Sequence, residues 1–323
     1  MHYGLAGFLL KLVKTLQEDF GRWKEFKKSP RHATHFDHGV IELMPCADRQ
    51  LYAVKYVTGH PDNTLKGRLS VVAVGQLSEV ATGYPLMISE MTLLTALRTA
   101  ATSVLAAQYL AQQESACLAI IGTGAQSEFQ TIGFCHHFRI REVRFYDVDK
   151  HAMQRFAAHM AREKIPAMAC DNIMDAVDQA DIIITATASK QHQVLFNRAD
   201  VKPGAHINAL GGDCPGKTEL GRDLLTHSRV VVEYLPQSLT EGEIQLCGPE
   251  YVYAELWELV GGFKSGREND RQITIFDSVG FALEDFSALR LIYALANDLQ
   301  LGRECDLLPE LADPKDLYGL LRP

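Results

Sequence analysis

The spacing of apolar and polar positions changes character twice along this chain. The N-terminal MHYGLAGFLLKLVKTLQEDF has an apolar run from Leu5 to Leu12, broken by a lysine, and then continues amphipathically, which predicts a helix. From about residue 39 to 89 the segments VIELMP, LYAVKYV, LSVVAVGQL and YPLMIS are short and rich in Val, Ile and Tyr. The turn signals GHPDN and ATG separate them, so they predict an antiparallel meander. SEMTLLTALRTAATSVLAAQYLAQQ follows, with Ser89 as candidate N-cap and an Ala, Leu and Met composition that predicts a long helix.

From Cys117 the rhythm becomes strand and helix in alternation. CLAIIG is followed by a helix from about Ala125 to Phe138, VRFYDV by a helix from about Lys150 to Arg162, and AMAC by a short helix near Met174. The apolar runs DIIITATAS, AHINALGG and RVVVEY continue the series, and ITIFDSVGFALEDFSALRLIYALANDL reads as a last strand, a turn and a long helix. Apolar strands joined by helices build a parallel sheet with right-handed crossovers, so the fold class expected is α/β. No internal repeat interrupts the pattern.

At 323 residues and 47% hydrophobic the chain can bury a large core and suggests two domains. A net charge of -8 without a long Lys/Arg run excludes the electrostatic footprint of a nucleic-acid partner and favours a small-molecule ligand. No stretch approaches the ~18 to 20 apolar residues that span a bilayer, and no small-residue cleavage site follows the N-terminal run, so neither a membrane partner nor a signal peptide is expected. The 7 cysteines are scattered without a C-x-x-C pair and read as reduced thiols of a cytoplasmic protein. His32, His35 and His38 in RHATHFDH are spaced by three, but Pro30 disfavours helix across Ser29, and no metal is expected there.

The turn IIGTGAQSEF places Gly122 and Gly124 between a strand and a helix. The first glycine suits the tight turn and the second the close approach of backbone to a pyrophosphate at the helix N-terminus. Asp147, at the end of VRFYD, stands where an acid bonds a ribose 2'-hydroxyl, which predicts a Rossmann fold and favours NAD over NADP. Ser127 occupies the third position in place of Gly or Ala. The competing reading is a glycine turn in an α/β domain that binds no nucleotide.

Asp213 in GGDCPGKTEL sits after an apolar strand, in a loop of Gly and Pro, where it serves either the turn or a ligand. Arg31 in SPRHA, Lys55 in YAVKYV and Arg98 in TALRTAATS lie in segments too apolar for ordinary surface charges. Taken singly, each reads first as half of a structural ion pair. Taken with Glu42 in VIELMP and with Asp213, they suit a substrate that carries a carboxylate and an amine.

VTGHPDNT, ATGYP, SEMTLLTALRTAATS, IGTGAQSEFQ, GGDCPGKTEL, EGEIQ and TIFDSVGFALED together resemble the ornithine cyclodeaminase/μ-crystallin family, over nearly the whole chain. Two departures stand out: the chain starts late relative to the family, and Thr123 replaces an asparagine in the glycine turn. The resemblance implies that NAD+ takes a hydride from Cα of L-ornithine, that the δ-amine displaces ammonia from the resulting imine, and that the hydride returns to give L-proline. Arg31, Lys55 and Arg98 would hold the substrate carboxylate, with Lys55 also in proton transfer, Glu42 orienting the amino groups, and Asp213 as general acid/base. Thr99, Gly122, Thr123, Gly124, Ala125, Gln126, Asp147 and Ser278 fall to the cofactor side, with Lys217 near them, and Cys214 is a packing residue. The implied architecture is an NAD-binding Rossmann domain over 114–285 and an α+β substrate-binding and dimerisation domain from 1–113 and 286–323, in a homodimer. Alternatives within the family are an imine or ketimine reductase, an amino-acid dehydrogenase, a lysine cyclodeaminase, or a non-enzymatic cofactor binder of the μ-crystallin kind.

Overall fold

The computed structural model describes residues 3–188 and 192–321; the Ser189 end of DIIITATAS lies outside them. Helix α1 (Gly4–Gly21) buries Leu9, Leu12, Val13, Leu16 and Phe20, the stripe expected of an amphipathic helix. Strands β1 (Lys27–Lys28), β2 (His32–Phe36), β3 (Gly39–Ala47), β4 (Leu51–Gly59), β5 (Val71–Glu79) and β6 (Pro85–Glu90) form an antiparallel sheet of order β1-β3-β4-β5-β6, with β2 also paired to β3. The meander is therefore present, and it is extended by two strands the apolar pattern did not mark. The His32–Phe36 segment is strand, exposed throughout, and among the described residues no group of His, Cys, Asp and Glu could hold a metal ion.

Strand register decides which side chains share a face. Leu43 lies opposite Tyr56 and Tyr56 opposite Val74, and all three are exposed. Met44 lies opposite Lys55 on the other, buried face. Lys55 thus shares its face with Ala53 and Val57, whereas its sequence neighbours Val54 and Tyr56 point away. Glu42, opposite Val57, lies on the same inner face.

Helix α2 (Thr92–Leu110) is buried along most of its length. Ser89 is not its N-cap: it lies inside β6, and its hydroxyl donates to Glu90 O at 3.1 Å. The carboxylate of Glu90 accepts the Leu93 amide at 2.9 Å instead, an acid placed where the helix dipole favours one.

The second sheet is parallel. Its strands are β7 (Cys117–Ile121), β8 (Glu142–Tyr146), β9 (Ala167–Ala169), β10 (Ile182–Thr185), β11 (His206–Ala209), β12 (Arg229–Val232), β13 (Val252–Glu255) and β14 (Thr274–Asp277), in the order β13-β12-β14-β11-β10-β7-β8-β9. Helices α3 (Ser127–His137), α4 (Lys150–Arg162), α5 (Ile173–Val177), α6 (Arg222–Thr226), α7 (Leu235–Ser238) and α8 (Leu256–Val260) connect them, and α9 (Ala282–Leu299) follows β14. Asp149 caps α4 by accepting from the amides of His151 and Ala152. The central strands are buried on both faces, which is why they read as unbroken apolar runs. β13, α6, α7 and α8 were not visible in the pattern.

From β7 the chain winds outward through β8 to β9, then returns to the other side of β7 at β10. The crevice at the carboxyl ends of β7 and β10 is therefore a topological switch point, where α/β sheets bind ligands. Residues 1–291 form one compact unit, and residues 292–323 a second that holds the end of α9 and a 3₁₀ turn at Leu317–Leu321. No described helix is long and apolar enough to cross a membrane.

Candidate active site at the switch point

The glycine turn follows β7 at this crevice. Gly122 adopts φ +98°, and a Cβ there would stand 2.5 Å from the Ala186 carbonyl oxygen, so the two strand ends meet only because the side chain is absent. Around Gly124 there is open space where a Cβ would stand, and Gly124 and Ala125 are exposed. Ser127 uses its hydroxyl to close the turn, donating to Gly124 O at 2.7 Å, which accounts for a serine where the fingerprint has Gly or Ala. The Gln126 side-chain oxygen is buried without a hydrogen-bond partner, so the turn keeps capacity for a ligand.

Asp147 stands at the end of β8 and accepts from the Thr123 amide at 2.6 Å and the Thr123 hydroxyl at 3.1 Å; its other oxygen accepts from Asp149 N at 2.9 Å. The threonine that departs from the family pattern thereby holds the carboxylate in place. This crevice, with a glycine turn, a helix N-terminus and an acid on the neighbouring strand, fits a dinucleotide.

Three cations meet a set of carboxylates in the interior. Lys55 Nζ lies 2.8 Å from both oxygens of Asp285, and both residues are about 1% exposed. Arg98 donates from Nε to Asp285 at 3.1 Å and from Nη1 to Glu284 at 2.5 Å. Arg31 donates from Nη1 to both oxygens of Glu42, at 3.3 and 3.2 Å, and from Nη2 to the carbonyls of Val279 and Gly280, at 2.5 and 2.8 Å. Its Nε lies 3.3 Å from Glu241 Oε2 without hydrogen-bond geometry. Arg31, Glu42, Lys55 and Arg98 thus belong to one buried network.

The charges reset one another. Burial pulls the Lys55 ammonium down to about 8, with Asp285 opposing and Arg98 and Arg31 reinforcing the shift. Burial alone would lower Arg98, but Asp285 and Glu284 outweigh it and its guanidinium is held charged. Burial pushes Glu241 up to about 7 against the pull of Arg31, and the charges of Glu42 and Asp213 add to the rise.

Asp213 lies at the mouth, its side chain 59% exposed. Lys217 joins it to the cofactor side: Lys217 Nζ is 3.0 Å from Asp213 Oδ1 and 3.0 Å from Thr187 O, and the Thr187 amide is the next backbone group that a Cβ on Gly122 would meet. On its other side Asp213 acts on Glu241, which faces Arg31. Asp213 is thus tied through Lys217 to the backbone beside the glycine turn. Thr99 is half-buried and bonds back to Thr95 O at 2.8 Å. The Ser278 hydroxyl donates to Glu233 at 2.6 Å. Cys214 is half-buried, and burial raises its thiol.

The acids that complete the network were missed: Glu233, Glu241, Glu284 and Asp285. Glu284 and Asp285 carry a signal in hindsight, two carboxylates opening an otherwise apolar helix in FALED.

A family model described as the Ornithine cyclodeaminase/mu-crystallin family matches residues 4–299 of this chain. An "Ornithine cyclodeaminase" of Agrobacterium tumefaciens (strain Ach5) is 50% identical over 318 residues, 98% of this chain and 89% of that protein. A solved lysine cyclodeaminase, described in terms of recognition of L-lysine, L-ornithine and L-2,4-diaminobutyric acid, superposes with a TM-score of 0.92 at 27% identity, covering 99% of this chain and 95% of the other. An archaeal alanine dehydrogenase dimer with bound NAD superposes with a TM-score of 0.88 at 31% identity, covering 93% and 95%.

Proposed function

Because the chain belongs to the ornithine cyclodeaminase/mu-crystallin family, we propose that it is an NAD-dependent ammonia-lyase that converts L-ornithine to L-proline and ammonia. The observation that carries the reading is the set of buried ion pairs that holds Arg31, Lys55 and Arg98, in a chain half identical to an ornithine cyclodeaminase. A diamino acid presents one carboxylate and two amines, and this network offers both charge types within one buried site.

Bound NAD+ would supply a hydride acceptor and, in its reduced form, a hydride donor for the substrate Cα. Residues Gly122, Thr123, Gly124, Ala125 and Gln126 would take its pyrophosphate and Asp147 its adenine ribose, with Thr99, Lys217 and Ser278 nearby. Arg98, Lys55 and Arg31 hold the substrate carboxylate, and Glu42 orients the amino groups. Lys55, with its ammonium brought down to about 8, is half-neutral near that pH and can accept a proton from the substrate. Asp213, exposed at the mouth, takes a proton from the attacking δ-amine and returns one to the departing α-nitrogen. The δ-nitrogen bonds to Cα and the Cα–Nα bond breaks, so nitrogen leaves as ammonia and the ring is that of proline.

We assign the cofactor domain to 114–285 and the substrate-binding and dimerisation domain to 1–113 and 286–323. The outward face of the antiparallel sheet, with Leu43, Tyr56, Val74 and Ile88 exposed, supports a homodimer. The free cysteines support a cytoplasmic enzyme of ornithine breakdown and proline formation.

The test is to supply L-ornithine and NAD+ and to assay proline and ammonia together, with L-lysine in parallel. Equal yields of the two products from ornithine are expected; no ammonia from either diamino acid contradicts the reading. An amino-acid dehydrogenase or imine reductase is the second reading, favoured by the similarity to alanine dehydrogenase.

A further inference from the structure

In EGEIQ, Glu241 faces Arg31, and the two polar side chains that follow turn instead to the loop that carries Asp213. The segment is first pinned to the parallel sheet. Asp277, the last residue of β14 and fully buried, accepts from the amides of Glu243 and Ile244, each at 2.9 Å. Gly242 lets the strand end come that close: it has φ +79°, and a Cβ there would stand 2.7 Å from both Asp277 oxygens. The Gly242 amide donates to Gly212 O at 2.5 Å, next to Asp213.

From this anchored 3₁₀ turn, Glu243–Leu246, two side chains grip the loop. Gln245 Oε1 accepts from Gly216 N at 2.7 Å, while its Nε2 donates to Lys217 O at 3.1 Å and to Gly242 O at 2.6 Å. The fully buried Glu243 accepts from Glu219 N at 2.8 Å with one oxygen and from Leu220 N at 2.8 Å with the other. The backbone on both sides of Lys217 is thereby fixed, and with it the ammonium that lies 3.0 Å from Asp213 Oδ1 and 3.0 Å from Thr187 O. Glu219 accepts the Thr187 amide at 2.9 Å, so two side chains of the loop hold Thr187, one at its amide and one at its carbonyl. Asp213, Pro215 and Gly216 are exposed, so hydrogen bonds rather than packing fix this stretch.

We propose that Gln245 and Glu243 are positioning residues: they hold the 213–220 loop against the end of β14, so that Lys217 fixes the Asp213 carboxylate for its work on protons. The kinetic part rests on the cyclodeaminase reading; the hold on the loop does not. Gln245 is the better of the two to probe, because it is half-buried and its side chain bonds to this loop and to its own turn. Losing it should misplace Asp213 and spare the cluster of Arg31, Lys55 and Arg98, which lowers kcat more than it raises KM.

The test joins amide hydrogen exchange, which needs no substrate, to a double-mutant cycle. Gln245→Met keeps the length of the side chain and removes its donors and acceptor. We expect faster exchange across residues 213–220 with exchange in β7 unchanged, a fall in kcat for ornithine of at least about tenfold, and KM within about threefold of the parent. In an Asp213→Asn background, assayed at raised enzyme concentration, Gln245→Met should cost no more than about twofold further, because its effect runs through Asp213. A merely structural role would give the same factor in both backgrounds. If Gln245→Met does not fold, Gln245→Glu goes through the same measurements, since it keeps the acceptor for Gly216 and loses the donors to the two carbonyls. The proposal is overturned by loop exchange that stays at the parent rate, by equal losses of kcat in the two backgrounds, or by a rise in KM with kcat intact. A parent that releases no ammonia from ornithine, with the exchange change present, would sink the cyclodeaminase reading and leave the hold on the loop standing.

Discussion

The two sides of the crevice are built from different materials. The proposed cofactor side is mostly backbone: a glycine turn at Gly122–Gly124, a helix start at Ser127, and one acid, Asp147, held by Thr123. The proposed substrate side is almost entirely buried charge, with Lys55, Arg98 and Arg31 each satisfied by carboxylates that come from other elements. A backbone site tolerates change at single side chains, as Ser127 illustrates by mending its own turn. A buried charge network does not, because the loss of one partner leaves its neighbour uncompensated in a dry interior.

The largest effect should follow from breaking the network at its hub. Asp285 serves both Lys55 and Arg98, so Asp285→Ala strands Lys55 and leaves Arg98 with Glu284 alone. It should cost ~3 to 5 kcal/mol of stability and abolish turnover, as read by denaturant unfolding and ammonia release. A change under ~1 kcal/mol would mean that water already screens the pair.

Asp213 is exposed, so the same comparison predicts the opposite split. Asp213→Asn should lose ~10² to 10⁴ in turnover while its unfolding midpoint barely moves. Activity within a few-fold of the parent would identify Asp213 as a turn former.

The third effect is on pH. Lys55 must be neutral to accept a proton, and its neutral fraction rises as pH climbs through about 8. kcat/KM should therefore increase across that range, and Lys55→Arg should remove the limb, because arginine stays charged. A flat profile in the parent would take Lys55 out of proton transfer.

The smallest effect belongs to the backbone side. On the proposed role of Asp147 at the adenine ribose, Asp147→Ala should weaken NADH binding and lower discrimination against NADPH, since it would remove a ribose acceptor and a charge that repels a 2'-phosphate. Fluorescence titration with the two dinucleotides checks this. An unchanged ratio of affinities would show that Asp147 serves Thr123 alone.

The same contrast explains what could be read from the sequence. The parallel sheet, the glycine turn and helix α4 were legible because strand burial, turn chemistry and capping are local. Ser89 was misread as a cap because a serine before an Ala/Leu run satisfies the local rule, although strand pairing keeps it in β6. Strand β2 was invisible because its residues are exposed and carry no alternation. Lys55 was noticed beside Val54 and Tyr56, yet its partner Asp285 is 230 residues away, and pairing at that range leaves no local pattern. Glu233 was equally hidden, since VVVE reads as any strand end until the turn it holds is seen folded against it.

The central claim is that the hydride taken from ornithine is returned within the same turnover. It is tested most directly by supplying NAD+ far below the concentration of ornithine and following ammonia, proline and absorbance of NADH together. Many ammonia and proline molecules per NAD+, with no rising NADH signal, are the predicted result. Ammonia that stops once the NAD+ is consumed, with NADH formed in equal amount, would contradict the account and make the protein an amino-acid dehydrogenase.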